Sequence, residues 1–258
     1  MNNNLRKTQN KEGHSIVNRK GSYVLIAVMF AFIIINSLLS YVKAEPAGMT
    51  ISSNVTESKQ TTSPDNRSDE GGTITTLGVN VLQQNQFWKA YVGNITGKFI
   101  LEDASGFSIY EWPIQSADLT GEVYASREMQ PNWTAIECSN DTVLASEDTF
   151  MGFNSTSVYS INRTFNESEH PKLEIGSVTI SADQCRSTST YVNDTAQAQA
   201  SASFPVVLLA ADTNVIYASP INQGSDSFHN GTKVDFQLMI PDKDQDTTTY
   251  YFFAEIAQ

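Results

Sequence analysis

Three carboxylates alternate with other residues in a short run near the end of the chain. Asp242, Asp244 and Asp246 lie in the run Asp-Lys-Asp-Gln-Asp, between two segments that favour β-strands. Alternating carboxylates at the tip of a hairpin present several oxygen atoms to one point, as Ca²⁺ requires. The run departs from the EF-hand pattern, because Thr247 stands where that loop has glycine. A calcium site is therefore one interpretation, and a charged hairpin end that discourages edge pairing is the other.

Sequence patterns of known catalytic centres are absent. The chain contains no Gly-x-Ser-x-Gly motif and no His-Glu-x-x-His motif, which mark common serine hydrolases and zinc proteases. His170 and His229 have no second histidine at metal-ligand spacing, and His170 lies among acidic residues in what we predict to be a solvated loop. A pair of carboxylates for glycoside hydrolysis is recognised only by its spatial separation, so an extracellular hydrolase remains an alternative.

The most frequent motif in the chain is the Asn-x-Ser/Thr sequon, the acceptor site for N-linked glycans. Ten of the 14 asparagines after residue 44 lie in Asn-x-Ser/Thr sequons, although Ser and Thr make up only 47 of those 214 residues. Chance alone predicts about three sequons, whereas a glycosylated outer surface explains the excess and requires these residues to be exposed. The ten residues are Asn54, Asn66, Asn94, Asn132, Asn140, Asn154, Asn162, Asn166, Asn193 and Asn230.

A strongly apolar segment separates two parts of opposite charge. Residues 1–20 carry five basic side chains and one acidic side chain, whereas residues 45–258 carry 10 basic and 27 acidic ones. Between them, residues 23–42 are mostly apolar, and as a helix they span about 30 Å, the thickness of a bilayer core. The positive-inside rule places the basic arm in the cytoplasm and the acidic part outside. This acidity also excludes nucleic acid as a partner.

Three fates are open to the apolar segment. It is longer than the core of a typical signal peptide, so retention as a signal anchor is the favoured interpretation. Cleavage after Ala44 is the second, because small residues stand at the preceding positions. The third is cleavage at Lys20-Gly21, where residues 19–42 resemble archaeal type IV pilin precursors. Unlike a pilin helix, the segment ends at Lys43-Ala-Glu-Pro46 and a polar stretch.

The two cysteines, Cys138 and Cys185, both follow the apolar segment. A pair of cysteines on the oxidising side of a membrane most simply forms a disulfide, which we predict here. Two buried thiols are the alternative. The low cysteine count excludes both a disulfide-dense miniature scaffold and a zinc site made of four cysteines.

Short strand-like segments dominate the chain after residue 73. They are rich in Val, Ile, Tyr, Phe and Thr, lie about ten residues apart and are separated by Gly, Asn, Asp and Pro. Before the last two, the predicted strands are 73–82, 87–92, 98–102, 107–112, 121–126, 134–138, 157–161, 173–181, 204–209 and 215–218. This pattern predicts an all-β fold, specifically an antiparallel β-sandwich of immunoglobulin-like or jelly-roll-like type. We predict the last two strands, 232–240 and 248–256, to form a hairpin, and we predict no long helix. The predicted organisation is a cytoplasmic arm (1–21), a transmembrane anchor (22–43), a flexible stalk (44–72) and an extracellular β domain (73–258).

Several of these segments together resemble a recurrent group of uncharacterised archaeal extracytoplasmic proteins with one N-terminal membrane segment. The resemblance is carried by Trp88-Lys-Ala-Tyr-Val, Ile109-Tyr-Glu-Trp112, Asn132-Trp-Thr-Ala-Ile-Glu-Cys138 and Tyr250-Tyr-Phe-Phe-Ala-Glu255, and it covers residues 73–258. It implies an extracellular β domain and no particular activity.

Residues 187–203 are small and polar and predict a mobile loop, or alternatively an exposed edge strand. Residues 196–229 and 97–131 are the longest runs without a sequon. We expect self-association or a surface partner to use the edge at 196–209, because a glycan blocks approach elsewhere.

The sequence as a whole predicts a membrane-anchored, N-glycosylated surface protein with a structural or adhesive, non-enzymatic role and no cofactor other than calcium. The alternatives are a subunit of a surface fibre and a hydrolase.

Overall fold

The computed structural model describes residues 45–59, 63–114, 119–243 and 246–257. The predicted basic arm and transmembrane anchor lie outside these residues. No helix in the described ranges is long and apolar enough to cross a membrane.

The described chain is mostly β, with antiparallel sheets, so the coarse fold prediction is confirmed. Two α-helices, α1 (Asp141–Met151) and α2 (Ile161–Thr164), interrupt the strands. The strands are β1 (Ala47–Gly48), β2 (Trp88–Gly93), β3 (Lys98–Glu102), β4 (Ser108–Pro113), β5 (Thr120–Ser126), β6 (Ile136–Cys138), β7 (Leu173–Ile175), β8 (Val178–Ile180), β9 (Ser187–Ser189), β10 (Pro205–Ala211), β11 (Asn214–Pro220), β12 (Ser225–Asp226), β13 (Lys233–Val234), β14 (Phe236–Pro241) and β15 (Tyr251–Ala257).

A seven-stranded sheet forms the centre of the fold, with the order β1-β15-β5-β11-β10-β6 and with β9 also paired to β10. Strand β10, next to its centre, is apolar along its whole length, and every one of its residues is buried. Such continuous apolar runs occur where a sheet is covered on both faces. On one face Val206, Leu208 and Ala210 pack with α1, α2 and β14. On the other face Val207 and Leu209 pack with the β7–β8 hairpin.

The last two long strands do not form a hairpin, so that prediction is wrong. β14 pairs with β2 over six residues, from Phe236↔Gly93 to Pro241↔Trp88. β15 instead lies between β1 and β5 in the central sheet. The turn residues between the two segments favoured a hairpin. In the structure β14 instead pairs with β2 and β15 with β5, and both of these partners lie far away in the sequence.

Helix α1 was not predicted. The side-chain oxygen of Asn140 accepts hydrogen bonds from the N–H groups of Thr142 and Val143 and caps its first turn. Gly152 ends the helix in the left-handed conformation, with φ 77°. The predicted strand at 157–161 is also wrong, because it forms a turn that leads into α2.

Residues 187–189, at the start of the segment predicted as a loop or an edge strand, form the short strand β9, which pairs with β10 at the border of the central sheet. Residues 190–203 form no strand, so the edge-strand alternative is wrong for this part of the segment. They include a single 3-10 turn at Gln199–Ser201. The side chain of Gln197 donates to the carbonyl of Thr190 and accepts from the N–H of Ser203, which folds the segment back on itself. The adjoining strand β10 is paired on both sides, so it offers no free edge either.

The described residues 49–59 and 63–86, which include much of the predicted stalk, contain no strand. Ala47 and Gly48, just before them, pair with Ala254 and Phe253 at the sheet edge. The strand-like alternation at 73–82 therefore does not produce a strand, and its side chains are exposed.

Candidate functional site

Cys138 and Cys185 form the predicted disulfide, with their Cα atoms 5.0 Å apart. Cys138 ends β6 at the border of the central sheet, and Cys185 lies in the loop before β9. The bridge joins the two ends of a segment that leaves the sheet after β6 and returns at β9. No free cysteine is present in the described chain.

His170 supports this bridge and is not the solvated residue that we predicted. Its side chain is buried, and its Nε2 accepts a hydrogen bond of 2.9 Å from the backbone N–H of Cys185. Its Nδ1 lies 2.7 Å from the carbonyl of Pro171, so both ring nitrogens have a polar backbone partner. The neighbouring acidic residues in the sequence masked this role, because only the fold brings His170 beside Cys185.

All ten sequon asparagines are exposed. Two asparagines outside sequons, Asn214 and Asn222, are half-buried in the same domain. Exposure is the geometric requirement for adding a glycan to the amide nitrogen. All ten sequons therefore lie at positions that a glycosylating enzyme can reach.

The hydrogen bonds of several sequon side chains leave the amide nitrogen available. In Asn132 and Asn154, Oδ1 accepts from the hydroxyl of the sequon threonine, in each case at 2.8 Å. Asn140 uses Oδ1 to cap α1, and Asn162 uses Oδ1 to accept from Arg186. Asn193 differs, because its Nδ2 donates to Asp226.

The acidic run at 242–246 is not fully described, since Asp244 lies outside the described residues. Asp242 contacts Lys89 at 3.2 Å and accepts a hydrogen bond from the N–H of Thr248. Burial raises the pKa of Asp242, but these hydrogen bonds and Lys89 outweigh it and hold the pKa below its usual value. Asp246 is exposed and accepts from the N–H of Thr247. The calcium site at Asp242, Asp244 and Asp246 stays a prediction.

Acidic side chains also line a cavity of about 380 Å³ at one end of the central sheet. Glu122 and Glu255 face each other across β5 and β15, and both are buried. Glu255 accepts a hydrogen bond of 2.7 Å from Gly176 N–H, and Glu122 accepts one of 3.4 Å from Glu174 N–H. These carboxylates therefore fasten the β7–β8 hairpin to the sheet, which is a structural role.

The β3–β4 hairpin carries an apolar face that faces solvent. Phe99 stands opposite Trp112, and Leu101 stands opposite Tyr110, so all four side chains lie on one face. They are 38%, 47%, 55% and 58% exposed, in that order. Strands β3 and β4 pair only with each other among the described strands. Alternation in the sequence predicted these strands, but it predicted burial of the apolar face.

The three tryptophans of the chain have different environments. Trp133 is buried in the core, and Trp88 is half-buried, with its Nε1 donating to the carbonyl of Tyr159. Of the three, only Trp112 is exposed, and its ring centroid lies 4.8 Å from the ring centroid of Tyr110. The three rings therefore do not form a shared platform for stacking on a sugar.

Searches against protein-family models, curated proteins and solved structures found no match to the chain.

Proposed function

We propose that this protein is a membrane-anchored, N-glycosylated surface protein whose role is structural or adhesive and not catalytic. The observation that carries the proposal is the exposure of all ten sequon asparagines. The disulfide supports it, because such bridges form in oxidising compartments outside the cytoplasm. Residues 22–43 supply the membrane anchor, with the N-terminus in the cytoplasm and the β domain outside.

A glycan-coated β domain suits a role in contact with the surroundings of the cell. Ten glycans on about 200 outer residues hinder proteases and restrict partners to the faces without sugar. The apolar clusters on both faces of the central sheet and the disulfide stabilise the folded domain. We further propose that the β2–β14 pair and the central sheet are the two layers of an antiparallel β-sandwich. Contacts of β14 with β10 and β11, to which it is not hydrogen-bonded, support this arrangement.

The test uses the full chain in the cells that make it. We expect glycopeptide mass spectrometry to find sugar on most sequon asparagines, with Asn80 and Asn85 as unmodified controls, because they are exposed but lie outside sequons. Protease added to intact cells is expected to remove the β domain. Unmodified sequons together with a β domain that is cleaved only after lysis contradict the proposal.

A subunit of a surface fibre is the second candidate. It is favoured by the solvent-facing apolar hairpin, which a monomeric surface protein does not need. Sequencing of the mature N-terminus separates the candidates. A chain that starts at Ser22 favours pilin-type processing and a fibre, whereas an intact N-terminus favours the signal anchor.

A further inference from the structure

We propose that the outer edge of strand β3 binds the same edge of a second copy of this chain and so forms a symmetric dimer. The inference concerns the β3–β4 hairpin, and it does not depend on where the protein is located. It replaces the 196–209 edge as the predicted surface of self-association, because β10 has no free edge.

Among the described strands, the β3–β4 hairpin presents an unpaired strand edge and an exposed apolar face. The outer edge of β3 is unpaired within the described chain, and unpaired edges accept further strands. The four-residue apolar face exposes on the order of 400 Å², which is the size of the largest apolar patch on a typical monomer, a patch that is often functional. No sequon lies between residues 97 and 131, so no glycan on this run blocks the approach.

The sequence of β3 is complementary to itself, which identifies a second copy as the occupant. The strand reads Lys-Phe-Ile-Leu-Glu from Lys98 to Glu102. When two copies pair antiparallel about Ile100, Lys98 of each copy faces Glu102 of the other. Phe99 then faces Leu101, and Ile100 faces its own equivalent. One pairing thus places opposite charges together twice and matches the apolar residues, as a two-fold interface requires.

Pairing along β3 extends the hairpin to a sheet of four strands, β4-β3-β3-β4. The apolar faces of the two hairpins then lie side by side and form one patch. Tyr110 and Trp112 extend that patch onto β4. Within its own hairpin the ammonium group of Lys98 contacts Glu111 on β4 at 2.5 Å, and both side chains are exposed. In the dimer Lys98 therefore exchanges this contact for Glu102 of the second copy or shares its donors between the two carboxylates. Because the buried area is modest, we expect a dissociation constant in the micromolar range, about 1–100 µM.

The first experiment locates the two-fold axis by cysteine cross-linking in the full chain, purified in detergent. Both native cysteines are bridged, so Ile100→Cys introduces one reactive thiol. Residues that face each other across paired strands have Cα atoms about 5 Å apart, within the range of a disulfide. We expect mild oxidation to convert most of this variant to a covalent dimer.

Ile109→Cys is the matched control, since Ile109 lies on β4 of the same hairpin and is 80% exposed, against 43% for Ile100. In the proposed dimer the two copies of β4 are three strand spacings apart, about 14 Å, so they cannot be bridged. We expect at least tenfold less cross-linking than for Ile100→Cys. Equal or stronger cross-linking through position 109 overturns the proposed axis.

The second experiment exchanges the charges. Lys98→Glu and Glu102→Lys each place like charges opposite one another, so each variant alone is expected to raise the dissociation constant at least tenfold. An equimolar mixture of the two variants restores both opposite-charge pairs and is expected to dimerise like the wild type. If a single variant failed to dimerise because its hairpin was damaged, mixing would not restore dimerisation. Recovery in the mixture therefore shows that the charges act between the two copies. Analytical ultracentrifugation in detergent measures all four samples.

Three results overturn the inference: a wild-type chain that stays monomeric at about 100 µM, the weakest dissociation constant expected, single variants that dimerise unchanged, or a mixture that does not recover. A monomeric chain whose hairpin binds lipid vesicles also overturns it, because a membrane is then the occupant. These measurements use purified protein, so they are independent of the glycan mapping that tests the proposed function.

Discussion

Three buried tyrosines make the stability of the domain sensitive to alkaline pH. Burial raises the pKa values of Tyr217 and Tyr250, and the charge of Glu147 raises them further. Burial also raises the pKa of Tyr124, with additional contributions from Glu122 and Glu255. In the unfolded chain these phenols ionise near pH 10, whereas in the folded protein they stay neutral.

The free energy of unfolding is therefore expected to be unaffected by these tyrosines below about pH 10 and to fall above it. Each raised pKa contributes a slope of up to about 1.4 kcal/mol per pH unit, because the unfolded state loses a proton that the folded state keeps. Urea unfolding between pH 9 and 11 measures the total slope. Tyr217→Phe is expected to reduce that slope by up to about 1.4 kcal/mol per pH unit, the contribution of one tyrosine. A slope for Tyr217→Phe equal to that of the wild type contradicts this assignment.

Residue types alone predicted the disulfide, because two cysteines in one oxidising compartment leave a single pairing. The same reasoning failed for His170, since its partner is a backbone N–H group 15 residues away. Sequons are local and are read directly from the sequence, but their hydrogen bonds are not. The capping role of Asn140, for example, depends on a helix whose weak pattern gave no prediction.

At the scale of elements, local alternation predicted which segments extend but not which strands pair. β5, β10 and β11 were predicted close to their observed positions, because apolar β-branched residues and flanking turns mark them. The partners of β14 and β15 depend on matching faces far apart in sequence, and no local pattern encodes that. Helix α1 was missed because polar residues separate its buried positions, although Asn140 and Gly152 are recognisable end signals.

The contact between β5 and β15 depends on one glycine. Gly121 has φ +123°, and a Cβ atom there would lie 2.0 Å from the carbonyl oxygen of Glu255. Both the backbone conformation and the close approach of the strands therefore exclude a side chain. We expect Gly121→Ala to lower the free energy of unfolding by about 3 kcal/mol or more.

Gly48→Ala is the matched control, because Gly48 also lies in a strand paired with β15 but a Cβ atom there meets nothing within 4 Å. A change within about 0.5 kcal/mol is expected for it. Urea unfolding at neutral pH compares the two variants. If they unfold at the same denaturant concentration, the close approach at Gly121 is not structurally important.

At the scale of the whole domain, one segment wraps the central sheet. Between Cys138 and Cys185 the chain first forms α1 and α2 on one face of the sheet and then the β7–β8 hairpin on the other. The segment thus completes both halves of the core and carries four of the ten sequons. The disulfide closes it at its base, where β6 and β9 pair with successive parts of the same edge of β10.

Removal of this bridge is expected to weaken the whole domain and not only the loop. The cysteines are 47 residues apart, and closing a loop of that size stabilises the folded state by roughly 4 kcal/mol, because it restricts the unfolded chain. Replacing both residues, by Cys138→Ser with Cys185→Ser, is therefore expected to lower the free energy of unfolding by about that amount. Urea unfolding followed by tryptophan fluorescence measures it, since Trp133 lies in the affected core. Wild-type protein unfolded in the presence of dithiothreitol is the control for the serine side chains and should unfold at a similar urea concentration. A double variant that is as stable as the oxidised wild type would show that the wrapped segment holds the core without its covalent closure.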